Sequence, residues 1–312
     1  MENKEKNFMS AVIYVHNAED RIEHFLKTII DVFQENFEHS EIICVNDCSD
    51  DRSVAKIKEV SVIANSTSIS ILNMSYFHGL EVAMNAGVDL SIGDFVFEFD
   101  STNLDFDKTD IINVYKKSLQ GYDIVSATAD KKEKITSRLF YNVFDRFTDL
   151  SYQMHTESFR VLSRRVINRI SSMNKAIPYR KAIYANCGLR TDILIYKSKM
   201  SDIEKIDKKE KKYRRGLATD SLILFTDVGY HFSIAMTALM MSMMVCVAIY
   251  TVVAYLISNP VSGWTSTILF LSVGFFGLFG ILTVIIKYLQ LLVELVFKKK
   301  EYNFESIEKL TR

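Results

Sequence analysis

The stretch Ile42-Ile-Cys-Val-Asn-Asp-Cys-Ser-Asp-Asp51 decides the fold. Its apolar first half is typical of a buried strand, here residues 41–45, and its polar second half predicts a turn that opens a helix. The same order recurs on both sides of this stretch. Further strands are predicted at residues 8–15, 68–72 and 95–99, and helices at residues 21–33 and 79–90. Strands that alternate with helices predict a mostly parallel α/β sheet.

Polar side chains stand where the predicted strands end. Asn17 and Glu19 follow the first strand, Asp47 follows the second, and Asp100 follows the fourth. Ligands bind to such sheets beyond the carboxyl ends of the strands, so these groups predict a polar pocket at one edge. The alternative interpretation is that Asp47 only caps a helix and Asp100 only occupies a turn.

Charge divides the chain into two parts. The 38 Lys and Arg residues balance 38 Asp and Glu residues, yet residues 228–286 contain none of these four types. Within that stretch, the apolar segments 232–257 and 264–286 each exceed the roughly 20 residues that span a bilayer. They predict a transmembrane helical hairpin behind a charged domain. A pair of apolar helices buried in a soluble fold is the alternative.

The flanks of the hairpin predict its orientation. Basic residues crowd both sides of it, at residues 205–215 and 298–300. Positive residues mark the cytoplasmic side, so we expect both termini and the large domain in the cytoplasm, at the plasma membrane if the source is bacterial. The expected organisation is a domain at 1–200, a basic juxtamembrane helical segment at 201–229, the membrane region at 230–297, and a short helical cytoplasmic tail at 298–312. The zero net charge gives no reason to expect a nucleic-acid partner.

Several motifs, taken in their order, carry a resemblance to a known family. Residues 11–17 and 42–51 form the first two strand ends, and residues 79–100 lead to an aspartate at a strand end. Ser158-Phe-Arg-Val-Leu-Ser-Arg-Arg165 follows later in the chain. Together they resemble family 2 glycosyltransferases with the GT-A fold. The last motif resembles the catalytic loop of the branch that uses polyprenyl phosphate, which includes dolichyl-phosphate mannosyltransferase and the bactoprenol glucosyltransferases.

The resemblance implies both a fold and a reaction. The fold is a GT-A cytoplasmic domain with a Rossmann-like mixed sheet, followed by a juxtamembrane helix and the two-helix transmembrane hairpin. The reaction moves a sugar from a nucleotide-diphosphate sugar to polyprenyl phosphate, either undecaprenyl or dolichyl. In this family Mg²⁺ or Mn²⁺ neutralises the diphosphate leaving group. A homo-oligomer is a further expectation from the resemblance.

The resemblance also implies roles for particular residues. The catalytic loop supplies Ser158, Glu157 and Arg160. The donor nucleotide meets Val15, Asn17, Glu19, Asp47 and Asp100. The acceptor phosphate meets Arg138, Tyr141, Arg160 and Arg164, and the metal meets Asp100, Thr102 and Asp105. A simple ion pair is the alternative role for each arginine.

Some positions depart from the family pattern. Thr102 stands where the second aspartate of the D-x-D motif is expected, and Ser158 where the catalytic loop has an aspartate. Cys48 stands where the second turn has a glycine. A threonine is a poorer ligand for a hard cation than a carboxylate. Three hypotheses therefore remain: an active membrane-anchored transferase, a catalytically silent paralogue that acts as a partner or regulatory subunit, and transfer to a non-lipid glycan.

Overall fold

The structure is a computed structural model. It describes residues 4–64, 66–130, 156–172, 179–198 and 304–310, together with scattered residues between 213 and 292. One eight-stranded sheet has the order β7-β5-β6-β4-β1-β2-β3-β8. The strands are β1 Met9–Val15, β2 Ser40–Asn46, β3 Thr67–Met74, β4 Phe95–Phe99, β5 Ile124–Ala129, β6 Phe159–Ser163, β7 Thr191–Tyr196 and β8 Phe304–Lys309. The helices are α1 Ile22–Asn36, α2 Ser53–Ser61, α3 Leu80–Leu90, α4 Lys108–Ser118, α5 Arg164–Ser172 and α6 Arg180–Asn186.

The sheet is mixed. Strands β3, β2, β1 and β4 pair in parallel in that order. Strand β6 runs antiparallel between β4 and β5, and β7 is again parallel to β5. The first four strands, α1 and α3 lie within about three residues of their predicted bounds, and α2 follows the turn that was predicted to open a helix. The predicted α/β mixed sheet is therefore confirmed.

Helices cover both faces of the sheet, which explains the unbroken apolar runs. All seven residues of β1 are buried. Successive side chains of a strand point to opposite faces, so Ile13 packs with the α1 side of the core, whereas Val12 packs with the α3 side. Helix α3 comes especially close, because a Cβ on Gly87 would clash with the Val12 side chain.

The C-terminal segment differs from the expected helical tail. Phe304–Lys309 forms strand β8, which pairs antiparallel with β3. The Asn73 side chain on β3 donates a hydrogen bond to Ser306 Oγ at 3.0 Å. Without β8, the outer edge of β3 would present unpaired backbone groups, so pairing satisfies them in a way that a helix would not.

The chain divides into two compact units. One comprises Met1–Asp145, Asp149–Leu217 and Lys299–Arg312 and carries the sheet; the other comprises Arg146–Thr148 and Ala218–Lys298. The predicted membrane segments 232–257 and 264–286 lie largely outside the described residues. Within the part of the chain that the structure describes, no helix has the length and apolarity needed to cross a membrane.

Candidate active site

The turns after β1 and β2 form one edge of the candidate site. Asn17 and Cys48, each the second residue after its strand, have left-handed backbones with φ of 46° and 55°. The two turns are joined, because the Asp50 N–H donates to Asn17 Oδ1 at 2.9 Å and the Arg52 N–H donates to Glu19 Oε2 at 3.0 Å. The structure thus brings Asn17 and Glu19 together, and both side chains hold the rim in shape. The positive φ of Cys48 also explains why the family pattern has a glycine there.

Asp47 lies beneath this rim and is fully buried. Its carboxylate accepts hydrogen bonds from the backbone N–H groups of His78 and Gly79, both at 2.8 Å, and from the Tyr14 hydroxyl at 3.0 Å. Its own N–H donates to the carbonyl of Val15 at 2.9 Å. The carboxylate therefore stabilises the turn that opens α3, as a cap does, and its charge suits a helix N-terminus.

Asp100 belongs to a buried charge cluster. Its Oδ2 accepts a hydrogen bond from Arg160 Nη2 and its Oδ1 accepts one from Arg180 Nη2, both at 2.7 Å. Glu98, two residues earlier on the same face of β4, bridges the same two arginines, with distances of 3.0 Å to Arg160 Nη1 and 2.7 Å to Arg180 Nη1. Each guanidinium side chain is only 1% exposed. Two carboxylates and two guanidinium groups thus form a closed double bridge.

Further groups complete the cluster from outside. Glu157 Oε2 lies 2.9 Å from Arg160 Nε, and Glu81 Oε2 accepts a hydrogen bond from Arg180 Nε at 2.9 Å. The Tyr184 hydroxyl donates to Glu98 at 2.9 Å. The cluster therefore occupies the guanidinium fork of Arg160, which the sequence predicts as a phosphate ligand.

The charges of the cluster shift the pKa values of its members. Burial alone would raise the pKa of Asp100, but Arg160 and Arg180 outweigh burial and hold that pKa well below its usual range. Burial likewise acts to lower the pKa of Arg160, yet Asp100, Glu157 and Glu98 raise it. Both groups are therefore ionised at neutral pH, as a structural ion pair requires.

A chain of polar groups lies next to the cluster. The Tyr196 hydroxyl is 2.8 Å from Asp105 Oδ1 and 2.5 Å from Ser158 Oγ. A phenol has a single hydrogen, so when Tyr196 donates to Asp105 it accepts from Ser158. Burial raises the pKa of Tyr196 well above its usual value, which keeps the hydroxyl protonated. The structure thus joins the predicted residues Ser158 and Asp105 through Tyr196.

The residues predicted to hold a divalent metal do not fit one in this arrangement. Both oxygens of Asp100 accept hydrogen bonds from arginines, and Thr102 is only 4% exposed. Asp105 is engaged by Tyr196. Among the described residues, no three His, Cys, Asp or Glu side chains come together as a metal-binding group. A hard divalent cation needs accessible oxygen ligands, which these three residues do not supply together.

Of the predicted acceptor residues Arg138, Tyr141 and Arg164, the structure places only Arg164, and it lies away from the site. Arg164 follows β6 at the end that pairs with the start of β4, so it lies at the opposite end of β4 from Asp100. Its Nε donates to the carbonyl of Gly93 at 2.8 Å, which gives it a structural role there. Arg138 and Tyr141 lie outside the described residues.

One residue that sequence reasoning missed connects the turns after β1 and β4. Arg21, which directly precedes α1, donates from Nη1 to Asn103 Oδ1 at 2.9 Å. Sequence reasoning also assigned no role to Arg180, Glu98 or Tyr196. Glu98 was the sequence feature that could have indicated this cluster, because an ionised residue inside an apolar strand requires a buried cation as its partner.

Comparisons with known proteins agree with this geometry. The model of glycosyl transferase family 2 matches residues 10–173, which run from β1 to α5. An uncharacterized glycosyltransferase of Synechocystis is 30% identical over 194 residues, which cover 60% of each chain. A prophage bactoprenol glucosyl transferase homolog of Escherichia coli is 27% identical over 198 residues, 60% of this chain and 62% of the relative. The chain thus spans about three fifths of the length of the curated relatives it matches.

A solved structure supports the fold. Glucosyl-3-phosphoglycerate synthase of Mycobacterium tuberculosis, in complex with phosphoglyceric acid, superposes with a TM-score of 0.51 at 11% identity. The match covers 70% of this chain and 78% of the synthase, and at that identity it bears on the GT-A fold alone. The family match, in contrast, includes the rim and the catalytic loop and takes in more than half of the residues. The chain therefore belongs to glycosyl transferase family 2.

Proposed function

We propose that the chain transfers a sugar from a nucleotide-diphosphate sugar to a polyprenyl phosphate at the cytoplasmic face of a membrane. The observation that carries this proposal is the position of the catalytic loop. Strand β6 pairs with β4, so Ser158 and Arg160 lie beside Asp100 at the carboxyl end of β4. The carboxyl ends of β1 and β2, with Asn17 and Glu19, form the adjacent rim where a donor nucleotide binds in sheets of this kind.

The chemistry of a lipid phosphate acceptor suits the side chains in the loop. A phosphate oxygen is already anionic, so it attacks the anomeric carbon without a base. The bond from that carbon to the diphosphate breaks, and its electron pair leaves with the nucleoside diphosphate. Ser158 therefore need not act as a base, although it stands where the family pattern has an aspartate. Catalysis then depends on positioning and on stabilisation of charge.

The sequence supports a membrane location for this reaction. The apolar segments 232–257 and 264–286 have the length of membrane helices, and basic residues flank both sides of the pair. A relative that is 27% identical is named as a bactoprenol glucosyl transferase homolog. Packing between copies of the hairpin would give a homo-oligomer. The membrane surface would bring the lipid phosphate to the loop before β6.

A glycolipid synthesis assay tests the function. The purified full chain in lipid vesicles is mixed with polyprenyl phosphate and a panel of labelled UDP- and GDP-sugars, with Mg²⁺, with Mn²⁺ and with EDTA. We expect a labelled glycolipid from one donor. Lys116 is exposed and lies toward the end of α4, away from the candidate site. Lys116→Ala serves as the control for a substitution outside the site, and it should leave the rate unchanged.

Other outcomes separate the remaining hypotheses. Absence of glycolipid and of nucleotide-sugar binding across the panel would refute the proposed function and favour the silent paralogue. Transfer to an added oligosaccharide, but not to polyprenyl phosphate, would refute the lipid acceptor alone.

A further inference from the structure

We propose that this chain binds the diphosphate of its donor without a divalent cation, and that the guanidinium group of Arg21 supplies the positive charge. This inference rests on the proposed function, because it concerns the donor of that reaction. It starts from the mismatch between the metal that the family pattern implies and the side chains at the end of β4.

The carboxylate of Asp100 already has two cationic partners. Arg160 and Arg180 each lie 2.7 Å from one of its oxygens, and both are held in place on their other sides by Glu98. A metal ion bound to Asp100 would stand next to both guanidinium groups and would be repelled by them. Asp100 therefore acts as an acceptor for two arginines, and its place in the fold is structural.

The two remaining candidates for the metal do not compensate. Thr102 is 4% exposed and carries a hydroxyl in place of a carboxylate. Asp105 accepts a hydrogen bond from Tyr196, which also contacts Ser158. Moving Asp105 to a metal would break the contact that organises the catalytic loop. The diphosphate charge therefore has to be balanced by a side chain.

Arg21 occupies the position that such a side chain needs. From β1 the chain passes to β2 on one side, and it later reaches β4 on the other side of β1. The crevice between the ends of β1 and β4 is therefore the topological switch point, where ligands bind in open α/β sheets.

The hydrogen bond from Arg21 Nη1 to Asn103 Oδ1 spans this crevice at 2.9 Å. Asn103 is itself held in the turn after β4, since its N–H donates to Ser101 Oγ at 3.2 Å. A guanidinium group presents its donors in a planar fork that matches phosphate oxygens, and a phosphate can replace the Asn103 amide as the acceptor.

Metal binding is measured directly, without turnover. Mn²⁺ is titrated into the full chain, and free Mn²⁺ is followed by electron paramagnetic resonance, with and without UDP or GDP. We expect no more bound Mn²⁺ than the nucleotide alone accounts for. One equivalent of tightly bound Mn²⁺ that is lost in Asp100→Ala would overturn the metal-free site.

Donor binding is measured by calorimetry with the same panel of nucleotide sugars, in excess EDTA and in Mn²⁺. We expect Kd to agree within about twofold between the two conditions. Loss of a charge-assisted hydrogen bond costs about 1.5–3 kcal/mol, so Arg21→Gln should weaken binding about 10- to 100-fold. Arg21→Lys keeps the charge and should recover part of the affinity.

Arg169→Gln is the matched control for Arg21→Gln. Arg169 is exposed on α5, which follows the end of β6 that lies far from Asp100. Its substitution should leave Kd unchanged, and both variants should unfold at the Tm of the wild type. Equal Kd values in Arg21→Gln and Arg169→Gln would overturn the role of Arg21. Binding that appears only with Mn²⁺ refutes this inference alone, whereas no binding in either condition refutes the proposed function as well.

Discussion

Replacement of Asp100 by asparagine should destabilise the sheet unit, because this carboxylate joins two buried arginines. Its oxygens accept hydrogen bonds from Arg160 Nη2 and Arg180 Nη2. An asparagine keeps one oxygen for one arginine, but its amide N–H₂ group then faces the donors of the other. That arginine would be left buried, charged and short of an acceptor.

The expected magnitude follows from the burial of the cluster. Removal of one partner from a buried ion pair costs about 3–5 kcal/mol. Glu98 continues to bridge the arginines, and the Asp100 side chain is 14% exposed, so we expect the lower end, about 3 kcal/mol. In a unit of this size 1 kcal/mol shifts Tm by about 2–4 °C, so Tm should fall by about 6–12 °C.

Thermal unfolding of the full chain in mild detergent with EDTA, followed by far-ultraviolet circular dichroism, measures this loss. Asp50→Asn is the matched control, because Asp50 is an exposed carboxylate in the rim turn and its loss should shift Tm by no more than about 2 °C. Carboxylates that are kept for ligand binding usually cost stability, so their removal leaves Tm unchanged or raises it. If the Tm of Asp100→Asn equals that of the control or exceeds that of the wild type, Asp100 is not a structural partner of the arginines.

Three further predictions concern pH, a strained turn and the sheet edge. The depressed pKa of Asp100 means that its contribution is present above the unfolded carboxyl pKa of 3.8 and is lost as pH falls through the lower folded value. The Tm difference between wild type and Asp100→Asn should therefore stay constant from neutral pH to about pH 5 and become smaller below about pH 4. A Tm difference that stays constant below about pH 4 would contradict this. Cys48→Gly should stabilise the chain by about 0.5–1 kcal/mol in the same thermal unfolding measurement, because a φ of 55° is strained for a residue with a side chain. A lower Tm than that of the wild type would show that the turn is not strained. Truncation before Phe304–Lys309 should expose the edge of β3 and lower Tm, with more light scattering on heating, and an unchanged melt would show that β8 adds nothing to the sheet.

The order of strands and helices could be predicted because each element leaves a local signal. Phe95–Phe99, for example, is an apolar run between Gly93-Asp94 and a polar end, and β4 has the predicted bounds. Strand β8 gave no such signal. Phe304–Lys309 is short and charged, and it pairs with residues at least 230 positions earlier, so its conformation is set by the open edge of β3.

The site could be predicted only in part for a similar reason. Asn17, Glu19 and Asp47 follow predicted strands, and the structure places all three at the expected edge. Strand ends locate a carboxylate, but they do not say what it faces. Asp47 faces backbone N–H groups inside the protein, and Asp100 faces Arg180, whose position 80 residues later no local pattern connects to β4.

The double bridge also changes how activity measurements at Asp100 should be interpreted. Glu98 and Asp100 each contact both arginines, so the position of Arg160 on β6 depends on that of Arg180 on α6. A change at Asp100 therefore displaces the strand that begins directly after Ser158 as well as the carboxylate itself. Loss of turnover in Asp100→Ala would have the same appearance for a metal ligand and for a structural partner. Only the sign of the stability change, together with Mn²⁺ binding, distinguishes the two roles. Removal of a metal ligand relieves a strained site and leaves stability unchanged or higher, whereas removal of a structural partner lowers stability because an arginine stays buried without its acceptor.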